Sequence, residues 1–227
     1  MMIAEFLIGY FKVLSGGCYT PSIPDYNLPK SCISYVNTQT NLSNKTVILD
    51  AGHMGVTYDP GCLSLIEGIN EADCNYKITC LVKQRLQEKG VNVIITRNSI
   101  DTKLSLNDRI RLANANTSNM YVSIHCNNTD NNETSANGSL IIVNKNNNSV
   151  SKQYATTILN SMCESTKMVN RGIVEEDFYI RHINTPSMII ETGFMNNRHD
   201  LDMIVNHAEV IADGIANGII EVLENTL

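Results

Sequence analysis

Short and long hydrophobic patterns alternate along the chain from residue 46 onwards. Short apolar runs rich in β-branched residues predict buried strands. They lie at Thr46–Leu49, Val91–Thr96, Met120–Ile124, Leu140–Val143 and Ser187–Ile190. Longer stretches with apolar residues three and four positions apart predict helices. They lie at Asn70–Lys89, Ser105–Ala115, Val150–Cys163 and His207–Leu223.

This alternation of strand and helix predicts an α/β fold. We expect a single, mostly parallel, twisted β-sheet flanked by helices on both faces. Folds of this class bind ligands beyond the carboxyl ends of their strands. His53, His125 and Glu191 each directly follow a predicted strand. Three side chains capable of chemistry are therefore expected at one edge of the sheet.

The first 44 residues have a different pattern. Apolar residues between Ile3 and Leu14 share one helical face, which predicts a short amphipathic helix. Prolines among Ser, Asn and Thr then predict an irregular connector up to Asn44. We therefore divide the chain into an N-terminal extension, 1–44, and one domain, 45–227. The extension could serve as an uncleaved anchor, an inhibitory segment or a packing accessory.

The extension lacks the marks of a membrane-targeting segment. No Lys or Arg precedes its apolar run, so the basic region of a signal peptide is missing. The run is also too short to cross a bilayer. Ser15-Gly16-Gly17-Cys18 departs from a lipoprotein cleavage site at Ser15, where Leu is usual. Neither a membrane span nor a lipid anchor is expected.

The composition argues against nucleic-acid binding and against sites built from cysteines. The 227 residues carry a formal net charge of −6, so the basic footprint of a nucleic-acid-binding protein is absent. Seven cysteines occur without a Cys-x-x-Cys pair, which argues against a thiolate zinc site or a redox motif. Their odd number argues against a fully paired disulfide framework. We expect most of them to be reduced and buried.

His53 and His125 form the start of a plausible metal site. Gly52 and Gly55 flank His53 closely and would let its backbone turn tightly. Catalytic zinc is often held by two histidines and one carboxylate, which leaves a position for water. The local pattern leaves the carboxylate open between Glu67 and Glu71, since Glu71 is equally suited to stabilising a helix N-terminus. The remaining histidines are expected at the surface: His182, His199 and His207.

Glu191 is the fourth residue of interest. A carboxylate directly after a buried strand is costly unless it has a partner. It could be a catalytic group beside the metal, or it could form a salt bridge with Arg97 or Arg171. The pattern alone leaves both interpretations open.

Several short motifs follow one another between Val47 and Ile204. They are Asp50-Ala51-Gly52-His53, Glu71-Ala72-Asp73-Cys74-Asn75, Thr96-Arg97, Leu104 to Arg109, Ala113-Asn114-Ala115, Ser123-Ile124-His125-Cys126-Asn127, Asn170-Arg171-Gly172 and Pro186 to Asn196. In order and spacing this set resembles the catalytic domain of zinc-dependent N-acetylmuramoyl-L-alanine amidases, the type found in autolysins, sporulation enzymes and phage endolysins. The departures are mild: Ala51, Met54 and Cys126 replace Pro, Gly and Ala. We expect Cys126 to point into the core.

The resemblance implies a site with one Zn²⁺ ion. Its ligands would be His53, Glu71 and His125. Glu71 is preferred to Glu67 because Asn75 stands in the family's position relative to it. The substrate implied is peptidoglycan, cut at the amide between N-acetylmuramic acid and L-alanine.

The resemblance also implies roles for three further residues. Glu191 matches the catalytic glutamate, and Arg171 and Asn127 are candidates for substrate binding. Arg171 could instead form a structural ion pair. We expect a monomer that acts at the bacterial cell wall, either secreted or released from the cytoplasm as a phage endolysin. The alternatives are a zinc hydrolase of another amide or peptide, and a non-catalytic wall-binding module that would lack at least one of the four key residues.

Overall fold

A computed structural model describes residues 41–55, 57–129, 134–145 and 149–226. The strands are β1 (Thr46–Ala51), β2 (Asn92–Ile95), β3 (Met120–Asn127), β4 (Ser139–Asn144), β5 (Asn170–Glu176) and β6 (Ser187–Phe194). The helices are α1 (Glu71–Glu88), α2 (Leu106–Ala115), α3 (Ser149–Thr166), α4 (Arg198–Asn206) and α5 (Ala208–Glu224), and a 3-10 helix covers Tyr179–His182. The helix predicted between Ile3 and Leu14 and the connector predicted up to residue 40 lie outside the described residues.

The strands form one sheet in the order β2-β1-β3-β6-β4-β5. The first four strands in this order are parallel to one another. β4 runs antiparallel to β6, and β5 runs parallel to β4. The prediction of a mostly parallel sheet is therefore confirmed. The carboxyl ends of β1, β3 and β6 lie at one edge, together with the amino ends of β4 and β5.

Helices cover both faces of this sheet, as predicted. Consecutive strand residues point to opposite faces, so Leu49 packs into the larger core, which includes residues of α1, α3 and α5. Its neighbour Ile48 packs into a second cluster with residues of α2 and the 3-10 helix. Gly214 of α5 lets this helix approach α3 closely, since a Cβ there would lie 2.7 Å from the Cα of Met162. No helix within the described residues is both long and apolar enough to span a membrane.

The structure corrects the element list in two places. β5 and α4 were not expected. β5 is an edge strand with exposed polar residues, so it lacks the apolar run that identifies a buried strand. α4 is short and begins at the N-cap Asn197, whose side chain accepts hydrogen bonds from the backbone of His199 and Asp200. α2 begins with a capping box, in which Ser105 and Asp108 exchange side-chain and backbone hydrogen bonds.

The ends of two predicted strands are also corrected. β3 continues to Asn127 and β6 to Phe194, so His125 and Glu191 lie within strands rather than beyond them. The two residues face each other in the β3–β6 register, and the ladder shifts register immediately afterwards. The apolar runs end before the strands do, because polar residues such as His125 and Glu191 follow the runs while the backbone pairing continues. The site still lies toward the carboxyl ends of the parallel strands.

Candidate metal centre

Three side chains from separate elements converge at this edge. His53 follows β1, Glu71 opens α1 and His125 lies near the end of β3. Nε2 of His53 is 3.0 Å from Oε2 of Glu71, and Nδ1 of His125 is 2.9 Å from Oε1. One donor atom of each residue lies within 4.8 Å of the others, so the group could hold a metal ion. Glu67, the other carboxylate left open by the sequence, is an exposed loop residue outside this group.

The backbone around these ligands has no room for larger side chains. A Cβ on Gly52 would lie 2.3 Å from the ring of His125, and one on Gly61 would lie 2.6 Å from Oε2 of Glu71. His53 itself adopts a left-handed backbone conformation with φ of 61°, which residues other than glycine seldom adopt. The imidazole rings of His53 and His125 meet edge to face at 5.0 Å. Glycines therefore let the backbone lie directly against the ligands.

Hydrogen bonds hold both oxygens of Glu71 in place. Oε1 accepts from Nδ2 of Asn75 at 3.2 Å and from the backbone N–H of Cys126 at 3.2 Å. Oε2 accepts from the backbone N–H of Cys62 at 3.0 Å. Burial by itself would raise the pKa of Glu71, but hydrogen bonds and charge from His125 and His53 hold this pKa far below its ordinary value. The carboxylate is therefore ionised and oriented toward the histidines.

His53 is held from its other side by an acid. Its Nδ1 lies 3.0 Å from Oδ2 of Asp59. Burial lowers the pKa of His53, but the carboxylates of Glu71 and Asp59 outweigh it and raise this pKa to about 9. In the metal-free protein the ring is therefore protonated at neutral pH. A metal ion must displace that proton to bind, so its affinity is expected to rise with pH.

A buried polar cluster lies beneath the His53 turn. Its centre is Asp50, fully buried at the end of β1. This carboxylate pairs with Arg109 and accepts hydrogen bonds from hydroxyl groups of three further residues, Thr96, Ser123 and Tyr179. Burial would raise the pKa of Asp50, but Arg109 and the hydroxyls lower it. Arg109 also donates to the backbone carbonyl of His53 at 2.5 Å, which fixes the left-handed turn.

Glu191 lies opposite His125 on the neighbouring strand. Its Oε2 atom is shielded from solvent and has no hydrogen-bond partner among the described residues. Burial raises the pKa of Glu191 to about 7; the charge of Glu71 adds to this, while the histidines oppose it. A carboxyl group poised between its two protonation states next to a potential metal site is suited to moving protons.

The structure rejects the salt bridges considered for Glu191. Arg97 donates to backbone carbonyls, including those of Ala51 and Ala72. Arg171 donates to the carbonyl of Asn137 and stacks over the ring of Phe194, with its guanidinium carbon 5.2 Å from the ring centre. Neither arginine pairs with the carboxylate.

Arg171 and Asn127 both lie at the site edge of the sheet. Arg171 is exposed near the start of β5, and no carboxylate among the described residues lies within salt-bridge distance of it. Asn127 ends β3 and is partly exposed, with Oδ1 accepting from the backbone N–H of Asn128 at 2.8 Å. Their contact with a substrate stays a prediction.

The described cysteines are free, as predicted: Cys62, Cys74, Cys80, Cys126 and Cys163. Cys74 and Cys126 are buried and the other three are partly exposed, so the predicted burial is found in fewer than half of the described cysteines. Cys126 is 3% exposed and part of the larger core. The histidines predicted at the surface are exposed: His182, His199 and His207.

Sequence reasoning missed several supporting residues. Asp59 was given no role, and the pattern around it gives no sign of its contact with His53. Tyr179 reaches Asp50 across 129 positions of the chain. Such a contact has no local signature in sequence, so only the fold reveals it.

Known proteins are similar to this chain in sequence. A family model described as N-acetylmuramoyl-L-alanine amidase matches residues 47–221. The uncharacterized protein YqiI of Bacillus subtilis is 33% identical, over 78% of this chain and 84% of YqiI. LytH of Staphylococcus saprophyticus, a probable cell wall amidase, is 32% identical over 78% of this chain and 58% of LytH.

Two solved structures agree with these matches. The N-acetylmuramoyl-L-alanine amidase from Clostridium difficile 630 gives a TM-score of 0.75 at 32% identity, covering 81% of this chain and 98% of that one. The catalytic domain of CwlV from Paenibacillus polymyxa gives 0.71 at 29% identity, covering 79% and 98%. The protein therefore belongs to the N-acetylmuramoyl-L-alanine amidase family.

Proposed function

We propose that this protein is a zinc-dependent N-acetylmuramoyl-L-alanine amidase that hydrolyses the amide between N-acetylmuramic acid and L-alanine in peptidoglycan. The observation that carries the proposal is the His53, Glu71 and His125 group with the unpartnered carboxyl of Glu191 beside it. Membership of the family supports the substrate. The reaction would take place at the bacterial cell wall, reached by secretion or by release as a phage endolysin.

The donor set fits zinc. Two imidazoles and one carboxylate are a set that catalytic zinc uses, and the ionised Glu71 would offset part of the ion's charge. When bound, zinc supplies Lewis acidity, which acidifies a water molecule and polarises the scissile carbonyl. Asp59 would hold the ring of His53 through Nδ1 and leave Nε2 as the atom that could bind the ion.

Glu191 would carry the proton. Amides hydrolyse slowly because water is a weak nucleophile and an amine is a poor leaving group. An ionised Glu191 accepts a proton from the attacking water and then donates it to the nitrogen of L-alanine as the C–N bond breaks. No described residue competes for its Oε2 atom, which supports this role.

Product analysis tests the bond that is cut. Purified peptidoglycan is digested with the protein, and the soluble products are identified by mass spectrometry. We expect free stem peptides with an N-terminal L-alanine and glycan strands of unchanged length. Released disaccharides or cleaved peptide crosslinks would refute the proposal. Cleavage only of unrelated amides would favour a zinc hydrolase with another substrate.

Removal of the metal should stop the reaction. Treatment with a chelator, followed by its removal, is expected to lower the hydrolysis rate at least about a hundredfold, since a metal Lewis acid contributes several kcal/mol to such reactions. Addition of one equivalent of Zn²⁺ should restore the rate. Cleavage that persists in metal-depleted protein would contradict the metal assignment.

Substitution of Arg171 should weaken substrate binding. Its exposed guanidinium at the site edge would contact acidic groups of the stem peptide. An exposed ion pair contributes up to about 1 kcal/mol, so Arg171→Ala should raise KM about fivefold with little change in kcat. The control is Arg181→Ala, an exposed arginine in the 3-10 helix. Equal KM values for both variants would remove Arg171 from the substrate site.

The wall-binding alternative is weak. A non-catalytic module would not need to keep the residues of catalysis. His53, Glu71, His125 and Glu191 are all present and brought together. An inactive protein that still bound peptidoglycan would restore this alternative.

A further inference from the structure

Arg97 is a buried arginine at the back of the metal centre. It lies two residues after the end of β2 and is 1% exposed. Its guanidinium donates to four backbone carbonyls. They are those of Ala51 at 3.0 Å, Gly52 at 3.2 Å, Ala72 at 2.8 Å and Ile100 at 2.6 Å.

The charge of Arg97 has no acidic partner at salt-bridge distance among the described residues. The carboxylates of Asp50 and Asp73 favour this charge from farther away, whereas the neighbouring Arg109 carries the same charge and opposes it. The ring of Tyr76 lies 5.3 Å from the guanidinium carbon, where the face of an aromatic ring attracts a cation. Burying a charge in this way is costly, and an apolar side chain of similar volume would fill the space at lower cost. Packing alone therefore does not explain an arginine here.

The hydrogen bonds to the carbonyls explain the presence of an arginine better, because three of these carbonyls lie beside residues that carry metal-binding side chains. Ala51 and Gly52 immediately precede His53, and Ala72 immediately follows Glu71. Gly52 is also the backbone surface against which the ring of His125 rests. One rigid, planar group thus touches the main chain next to two ligands and the peptide that supports the third.

We propose that Arg97 is a positioning residue that sets the spacing between His53 and Glu71 through their main chains and supports the ring of His125 through Gly52. The proposal rests on the metal centre proposed above. Arg97 touches neither the metal-binding atoms nor a substrate. Lysine keeps the charge but offers a single nitrogen, which cannot span carbonyls on separate segments as the guanidinium fork does.

The test measures metal binding rather than catalysis alone. The full chain is stripped of metal and titrated with Co²⁺, whose visible absorption reports ligand number and geometry. We expect Arg97→Lys to bind Co²⁺ about 10- to 100-fold more weakly than the wild type, the range found when groups that support metal ligands are replaced. Its cobalt spectrum should also change. Arg85→Lys is the matched control, because Arg85 lies on α1 and pairs with Asp213 at the surface.

A second control separates positioning from loss of stability. Leu159→Ala opens a cavity in the core contributed by α3 and should lower Tm without changing the cobalt affinity or spectrum. A wild-type cobalt affinity and spectrum in Arg97→Lys would overturn the proposal. It would also be overturned if Leu159→Ala, with the same Tm as Arg97→Lys, bound Co²⁺ equally weakly. If Arg97→Lys does not fold, Arg97→Gln, whose single amide group cannot reach all four carbonyls, is measured and interpreted in the same way. A wild type that binds no Co²⁺ would overturn the metal centre itself.

Discussion

Replacing Glu191 with glutamine is expected to lower the rate of amide cleavage about a thousandfold while leaving the zinc content at one ion per chain. Glutamine has nearly the same shape but cannot accept a proton, and general acid–base catalysis contributes roughly 10²- to 10⁴-fold. Glu191 is not in the group of potential ligands, so the metal should stay. The measurements are the rate of stem-peptide release and the zinc content.

The matched control is Glu176→Gln, the same change at an exposed position in β5. It should leave both measurements at their wild-type values. Full activity in Glu191→Gln would remove this residue from the mechanism. Loss of zinc together with activity would instead make Glu191 part of the metal centre.

The same substitution should stabilise the metal-free protein at high pH. The folded-state pKa of Glu191, about 7, lies above the ordinary value of 4.5, chiefly because the group is buried. The fold therefore favours the protonated form, and this stabilisation is complete below pH 4.5 and lost as the pH rises through about 7. Glutamine never ionises. Urea unfolding in the presence of a chelator should show a gain on the order of 3 kcal/mol well above pH 7 and little difference near pH 4.

The order of strands and helices was largely predictable because most of the sheet is buried. β1, β3 and β6 are covered on both faces, so their apolar runs stand out in the sequence. β5 lies at the edge of the sheet and has mostly polar side chains. Its place depends on pairing with β4 rather than on its own pattern.

Some residues of the site could be recognised from the sequence around them, and others only from the fold. His53 and His125 were identified because each follows a recognisable apolar strand. The choice between Glu67 and Glu71 needed the family motif, because the local pattern offered a carboxylate shortly before α1 and another at its start, and either could reach the site. The fold distinguishes the two glutamates clearly, because Glu71 is buried, with 4% of its surface exposed, whereas Glu67 lies in the solvent. The contacts of Arg97 with main-chain carbonyls depend on tertiary structure and could not be predicted.

Replacing Glu71 with glutamine is expected to abolish metal binding and, with it, hydrolysis. Both oxygens of Glu71 accept backbone N–H groups, from Cys126 and from Cys62. The amide NH₂ of glutamine would face one of these donors in either orientation, leaving a buried N–H unpaired. The substitution also removes the only carboxylate of the three-residue group. Metal affinity should therefore fall more than about a hundredfold, beyond the range seen for groups that merely support ligands.

Glu67→Gln is the decisive comparison for this prediction. It makes the same chemical change four positions earlier in the chain, at an exposed residue of the loop before α1. Competition with a chelator should give a wild-type zinc affinity for Glu67→Gln and none measurable for Glu71→Gln. The reverse result would show that the wrong glutamate had been assigned to the metal. Loss of affinity in both variants would contradict the assignment of Glu71 as a specific ligand, because the exposed charge of Glu67 would then affect zinc binding as strongly as Glu71 does.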